Sequence, residues 1–405
     1  MKRSAIAPSQ LPKADKLRIA FAFYGAVLLE GVMLASIGPT IDALADNSAS
    51  TTEQIAILFT ANSLGYIVGS LLAARLYARL PGNRVLAGAL VWMALLTATI
   101  PWLGSLWLMI GVFALIGLSV GLLDVGGNTL LVWLFRRDVP PYMNALHLSF
   151  GIGAFLCPLV VDRFAVGGGD ATRAFWLFAA LMIPVALWLT RVPSPDSPPE
   201  TAEPTAGTAI VRRYAYFLAL MGLLFFMHVG GELAFGGWIF NYADELGFGS
   251  QTTAFLINSM FWGGLVVGRV IAIPLSLRWS ARMMLQVDLL AAVGFIGLIW
   301  LLPDSAAALW IGTVGFGMAI ASVFASCINF TQERMPVSSH VTAIFFIGAS
   351  LGSMSLPWLI GQFFDRRGPE VMIWVVGGAI LAGLVLFAWI QVHVGRRMGI
   401  VARVD

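Results

Sequence analysis

Twelve apolar runs, each about 20 residues or longer, follow one another along this chain, separated by short segments holding charges, Gly or Pro. A helix rises about 1.5 Å per residue and the hydrocarbon core of a bilayer is about 30 Å thick, so runs of this length are long enough to cross it. They predict helices over 19–41, 54–77, 85–104, 106–135, 142–165 and 173–191, then over 214–243, 252–276, 283–302, 307–330, 341–364 and 370–394. Only 11% of the residues are charged, where soluble domains carry roughly 25%. An ordinary soluble globule is therefore excluded, and short strands of alternating polarity, the mark of an outer-membrane barrel, are absent from the sequence pattern.

Between the two sets of six lies Arg191 to Arg213, with five prolines plus Glu200 and Glu203, which reads as a polar linker. The expected organisation is a six-helix bundle over 1–192, a linker over 193–212 and a second six-helix bundle over 213–405. The halves echo each other at a spacing of about 200 residues, the self-similarity of an internally repeated fold. Asn62-Ser63-Leu64 answers to Asn258-Ser259-Met260, Glu30 to Glu232, and Pro158 with Asp162-Arg163 to Pro357 with Asp365-Arg366. The fold class is accordingly an all-α integral membrane protein of twelve transmembrane helices in two pseudo-symmetric bundles.

Charge sets the expected orientation. With the N-terminus in the cytoplasm, nineteen Lys and Arg fall on inside segments against four outside, Arg269 lying within a helix. That bias places both termini in the cytoplasm of a cell (inner) membrane. The net charge of +3 is spread singly or in pairs between apolar runs, so topology accounts for it better than a nucleic-acid partner. Met1 to Arg18 is polar and basic, with no apolar core of a signal peptide. Cys157 and Cys327 both sit in apolar runs, and no disulfide framework is suggested.

An ionised group at mid-membrane costs about 2.5 kcal/mol or more on insertion scales, so chains keep one mainly where it faces protein, water or a ligand. Asp124 lies 12 residues before Arg136, near mid-membrane, and shares a helix face with Asn128, Gly117 and Gly121. A hydrogen bond to another helix is the plainer role for Asp124; a substrate or ion role is favoured. Glu30 lies near the middle of the first helix, with no basic residue expected at that depth in the same half. Either carboxyl suits a proton carrier at neutral pH. Both could instead stay ionised and hold Na⁺ with nearby carbonyls; protons are favoured.

Asn144 and His147 share a face with Gly151, Ala154 and Pro158, which suggests packing against a moving neighbour; substrate contact and a structural role are balanced there. In the seventh helix, glycines at 230, 231, 236 and 237 surround Glu232 and predict a bend or break, simple packing of small residues being the other reading. Trp238 and Tyr242, one turn apart, suggest an aromatic platform for a sugar with Asn241 nearby, although an interfacial belt explains Tyr242 equally. Asn258 and Trp262 are further candidates for hydroxyl recognition. Arg269 and Asp288 fall at comparable depth and are expected to pair as a structural or gating contact.

At these residues the sequence resembles the major facilitator superfamily, and within it the branch of fucose permeases and sodium-dependent glucose transporters. The stretches that carry it are Asp124 to Asn128, Asn144 to Gly151, Glu232 to Tyr242, Phe261 to Gly264 with Gly268-Arg269, and Gly348 to Trp358. The loop between the second and third helices departs from the family pattern: Arg79, Gly82 and Arg84 fit with one extra residue, and Ala78 occupies the place of an Asp. In that branch, acids in helices 1 and 4 are linked to proton coupling, and the resemblance implies Glu30 and Asp124 here; Glu232 is the third coupling candidate.

The expected function is secondary active transport of a small polar solute, a sugar, by alternating access coupled to H⁺ or Na⁺. An exporter of a drug-like, amino-acid or siderophore-like solute is the alternative. Enzyme chemistry is not expected, because no His-Glu-x-x-His pair occurs and the four histidines are scattered. No cofactor or metal is expected beyond the coupling ion. The expected partners are the solute and the lipid bilayer, without nucleic acid, for a chain expected to be a monomer.

Overall fold

A computed structural model describes residues 11–196, 211–337 and 339–394. Among the described residues, twelve helices are long and apolar enough to cross a membrane: α1 (Lys13–Asn47), α2 (Thr52–Arg79), α3 (Gly82–Trp102), α4 (Leu106–Asp138), α5 (Pro140–Ala165), α6 (Ala171–Arg191), α7 (Ala215–Glu245), α8 (Gln251–Ser276), α9 (Ala281–Leu301), α10 (Ala306–Gln332), α11 (His340–Arg367) and α12 (Glu370–Val392). Each corresponds to one predicted run. Helices suit this setting because they satisfy every backbone N–H and C=O internally where lipid offers no partner. α1 outruns its apolar stretch most, taking in Lys13, Asp15, Lys16 and Arg18 at one end and Asp42 and Asp46 at the other. Most of the expected linker, 197–210, lies outside the described residues, as do the terminal basic residues Lys2, Arg3, Arg396, Arg397 and Arg403.

Local signals set the helix ends. Thr51 and Gln54 form a reciprocal capping box at the start of α2, which meets two otherwise unpaired donors of the first turn. Ser280 and Ser305 cap α9 and α10 through their hydroxyls.

The chain forms two compact units, one of residues 1–200 with 249–259, the other of 201–248 with 260–405. In the first, α1 packs on α5 and α2 on α4. Gly31 and Gly153 press on backbone carbonyls across the α1–α5 contact, as do Gly65, Gly69, Gly117 and Gly121 across α2–α4. At each of these sites a Cβ would collide with main chain, so only glycine permits the approach. The second unit repeats the device: Gly348 and Gly352 of α11 lie on α7, and Gly264 and Gly268 of α8 lie on α10. The glycine stripes predicted beside Asp124 therefore have the close-approach role expected of small residues.

The aromatic core of the second unit includes Phe217, Phe225, Phe330, Phe345 and Phe387, with Phe225 and Phe345 stacked at 4.8 Å between centroids. Within the first unit, Thr252 Oγ1 donates to Asp162 Oδ1 at 2.9 Å.

The break expected in α7 is not there. α7 runs unbroken as an α-helix from Ala215 to Glu245. Its glycines serve packing instead: Gly230 lies against Gly352 and Leu356 of α11, Gly231 against Ile380 of α12 and Gly236 against the Trp262 indole. α10 is interrupted instead, between segments ending at Ile320 and starting at Val323, as α2 is at Ala56 near its start. There the Ser322 hydroxyl donates to Asp288 Oδ2 of α9, a side-chain partner at the point where the backbone ladder lapses.

Candidate functional site

The close α2–α4 approach decides what Asp124 meets. Gly121 sits against the carbonyl of Tyr66, and one helical turn further along α4 the Tyr66 hydroxyl donates to Asp124 Oδ2 at 2.6 Å. Asn128 Nδ2 donates to Asp124 Oδ1 at 2.8 Å and to the Asp124 main-chain oxygen at 2.8 Å. Both carboxyl oxygens thus accept a hydrogen bond, and the Tyr66 contact falls in the range of charge-assisted O–H···O bonds.

Glu30 of α1 is 4% exposed and lies close enough to Asp124 to feel its charge. Its Oε2 has no hydrogen-bond partner. Among the described residues, no ion pair involves Glu30 or Asp124. The first unit therefore gathers two carboxyls, a phenol and an amide from three helices, with no fixed cation paired to them. The spacing on α4 anticipated Asp124 and Asn128 as neighbours, and intramembrane depth singled out Glu30. Tyr66 was missed; its signal was the register of Asn62, Gly65, Tyr66 and Gly69 along the face that meets α4.

The second unit holds a different arrangement. His228 Nε2 lies 3.7 Å from Glu232 Oε2, one turn along α7, and the Arg269 guanidinium of α8 acts electrostatically on both side chains. His228 is buried, and its Nδ1 lacks a hydrogen-bond partner. Depth leads one to expect Arg269 to pair with Asp288; Asp288 accepts from the Ser322 hydroxyl, and the carboxylate that acts on Arg269 is Glu232. Glu232 thus has a fixed cation nearby, which Glu30 lacks.

The aromatic candidates are held by the protein itself. Trp238 is fully buried, donates through Nε1 to the Pro357 carbonyl at 2.8 Å and lies 4.9 Å from the Phe364 ring. A sugar platform at Trp238 would need faces that are already occupied. Trp262 is buried with its ring against Gly236, and its Nε1 lacks a hydrogen-bond partner. Asn241 and Asn258 are buried too. Asn144 and His147 are exposed on α5, on either side of buried Leu146. Among the described residues, no group of three or more His, Cys, Asp or Glu side chains is placed to hold a metal.

The family model of the Major Facilitator Superfamily matches residues 23–357. The chain belongs to the Major Facilitator Superfamily. Similar members include sodium-dependent glucose transporter 1A of Mus musculus, 27% identical over 89% of this chain and 93% of the relative. Sodium-dependent glucose transporter 1 of Homo sapiens is 26% identical over 87% and 75% of the two chains. Major facilitator superfamily domain-containing protein 4A of Homo sapiens is 23% identical over 87% of each. Among solved structures, the nucleoside transporter NupG aligns with TM-score 0.75 at 14% identity over 92% of this chain and 99% of that one. The D-xylose-proton symporter aligns with TM-score 0.72 at 15% identity over 91% and 97%. The fold is thus that of this superfamily, a multi-pass membrane transporter, and the proteins it resembles are transporters rather than enzymes.

Proposed function

We propose that this transporter moves a small polar solute, a sugar, by alternating access, with the movement coupled to H⁺ or Na⁺ at Glu30 and Asp124. The carrying observation is Glu30 Oε2, buried without a hydrogen-bond partner beside a second carboxyl that no cation pairs. A carboxylate held so costs several kcal/mol unless something neutralises it. A proton or a small cation arriving from solution does that reversibly, and a site filled in one state and emptied in the other is what coupling requires. Several relatives carry sugar-transport names, two of them naming Na⁺ dependence and a structural neighbour naming proton symport, which supports a sugar as cargo. Glu232, compensated by Arg269, is assigned to the architecture of the second unit rather than to the ion itself. The orientation in this reading has both termini in the cytoplasm of a cell (inner) membrane, and the chain works without a resident cofactor.

The test is uptake of labelled sugars into proteoliposomes under an imposed proton or sodium gradient, for wild type, Glu30→Gln and Asp124→Asn. Accumulation driven by one gradient in wild type, with exchange but no accumulation in either variant, is the expected result. Gradient-driven accumulation that survives both substitutions removes the coupling assignment.

A further inference from the structure

Among the described residues, the Tyr66 hydroxyl is the one donor to Asp124 that comes from a different helix: Asn128 belongs to α4 itself, one turn from the carboxyl it serves. Tyr66 is fixed from below, because its own carbonyl packs on Gly121, where any side chain would force α2 away. The phenol is therefore delivered to Oδ2 by backbone contact and not by a loose side chain. The titratable groups that bear on this bond are Asp124 on α4 and Glu30 on α1. Tyr77, the next tyrosine on α2, is engaged elsewhere, donating to the Leu122 carbonyl at 2.9 Å.

We infer that Tyr66 is a positioning residue for ion coupling: its hydroxyl holds Asp124 Oδ2 and competes with the arriving ion for that oxygen. This rests on the reading of Asp124 as a coupling carboxyl. An ion that binds Asp124 draws on the same negative charge that the hydroxyl does and weakens its bond to Oδ2, so that bond sets the concentration at which the site fills. The same bond ties α2 to α4 most strongly while the site is empty and loosens when it fills. A hydrogen bond to a charged group is worth about a tenfold or larger change in such an equilibrium.

The experiment measures the coupling-ion concentration that gives half-maximal sugar uptake, in wild type, Tyr66→Phe, Asp124→Asn and the double variant, with gradient-free exchange as the check on folding. The expected result is a roughly tenfold fall in that concentration for Tyr66→Phe, loss of ion dependence for Asp124→Asn, and no further change in the double variant. An unchanged concentration in Tyr66→Phe, with Asp124→Asn ion-independent, overturns the role of Tyr66 and leaves the coupling carboxyl standing. Ion dependence that persists in Asp124→Asn overturns the coupling reading and this inference together. Where the Phe variant does not fold, 3,5-difluorotyrosine at position 66 keeps the ring and strengthens the donor. It should raise the half-maximal concentration, and a value equal to or below that of wild type overturns the inference.

Discussion

Trp238 of α7 donates its indole N–H to the carbonyl oxygen of Pro357 in α11 at 2.8 Å, with the indole fully buried. A proline inside a helix has no N–H to continue the ladder and crowds the preceding turn. Here the next element supplies a side-chain donor beside that irregularity. The contact lies along the same α7–α11 seam in which Gly348 and Gly352 let the two backbones meet. Trp238 therefore acts as a pin between two helices.

Trp238→Phe keeps most of the buried area and removes the donor, leaving the Pro357 carbonyl without its indole. The loss should be about 1–3 kcal/mol of stability, seen as a fall of several degrees in thermal unfolding in detergent. The sugar concentration giving half-maximal transport should stay within about twofold of wild type, since that change corresponds to under 0.5 kcal/mol. A large loss of sugar affinity without loss of stability would return Trp238 to the substrate.

Glu30→Gln replaces a buried carboxyl, one of whose oxygens has no donor, with a neutral group of nearly the same shape. Because no favourable pair is broken, thermal stability should hold within about 1 kcal/mol of wild type or rise. Asp124→Asn breaks the arrangement with Tyr66 and Asn128 and should cost about 1–2 kcal/mol. Parallel melting curves of the two variants check this, and a strongly destabilised Glu30→Gln would mean that the carboxylate has a partner worth keeping.

The environment of Arg269 gives a prediction in the form of a double-mutant cycle. Arg269 acts on Glu232, whereas Asp288 is bonded to Ser322. Residues that interact couple by about 0.5–3 kcal/mol, and independent ones add within roughly 0.5 kcal/mol. The cycle of Arg269→Met with Glu232→Gln should show coupling, and that of Arg269→Met with Asp288→Asn should be additive. Coupling in the second cycle alone would reinstate the pair expected from depth.

Depth and helical register were readable in the sequence, and the residues recovered are those that needed only these two. Asp124 with Asn128 follows from a spacing of four, and Glu30 from an acid stranded in an apolar run. Which face of a helix meets which neighbour is a tertiary fact, and the errors concentrate there. Arg269 and Asp288 share a depth, yet the carboxylate that acts on Arg269 is Glu232. The glycines of α7 carry the composition of a bend, yet Gly230, Gly231 and Gly236 each have a helix or ring pressed against them. The interruption at Ala321 and Ser322 of α10 contains neither Gly nor Pro, so composition had nothing to announce. Tyr66 reads as one more aromatic in a membrane helix until Gly121 shows what lies opposite it.

The last prediction concerns the α1–α5 seam. A Cβ on Gly153 would enter the space of the Leu28 carbonyl, whereas a Cβ on Gly88 of α3 meets nothing within 4 Å. Gly88→Ala should therefore be neutral or stabilising by about 0.5–1 kcal/mol, the helix-propensity gain alone. Gly153→Ala must push two backbones apart, a strain of about 1–3 kcal/mol or more. Leu28 and Glu30 sit within one turn of α1, so that displacement also moves the carboxyl relative to Asp124. Gly153→Ala should then lose gradient-driven accumulation along with stability, while Gly88→Ala keeps both, measured by melting and uptake on the same preparations. Equal behaviour of the two variants would mean that α1 and α5 have room to spare, and that Glu30 is not placed by their contact.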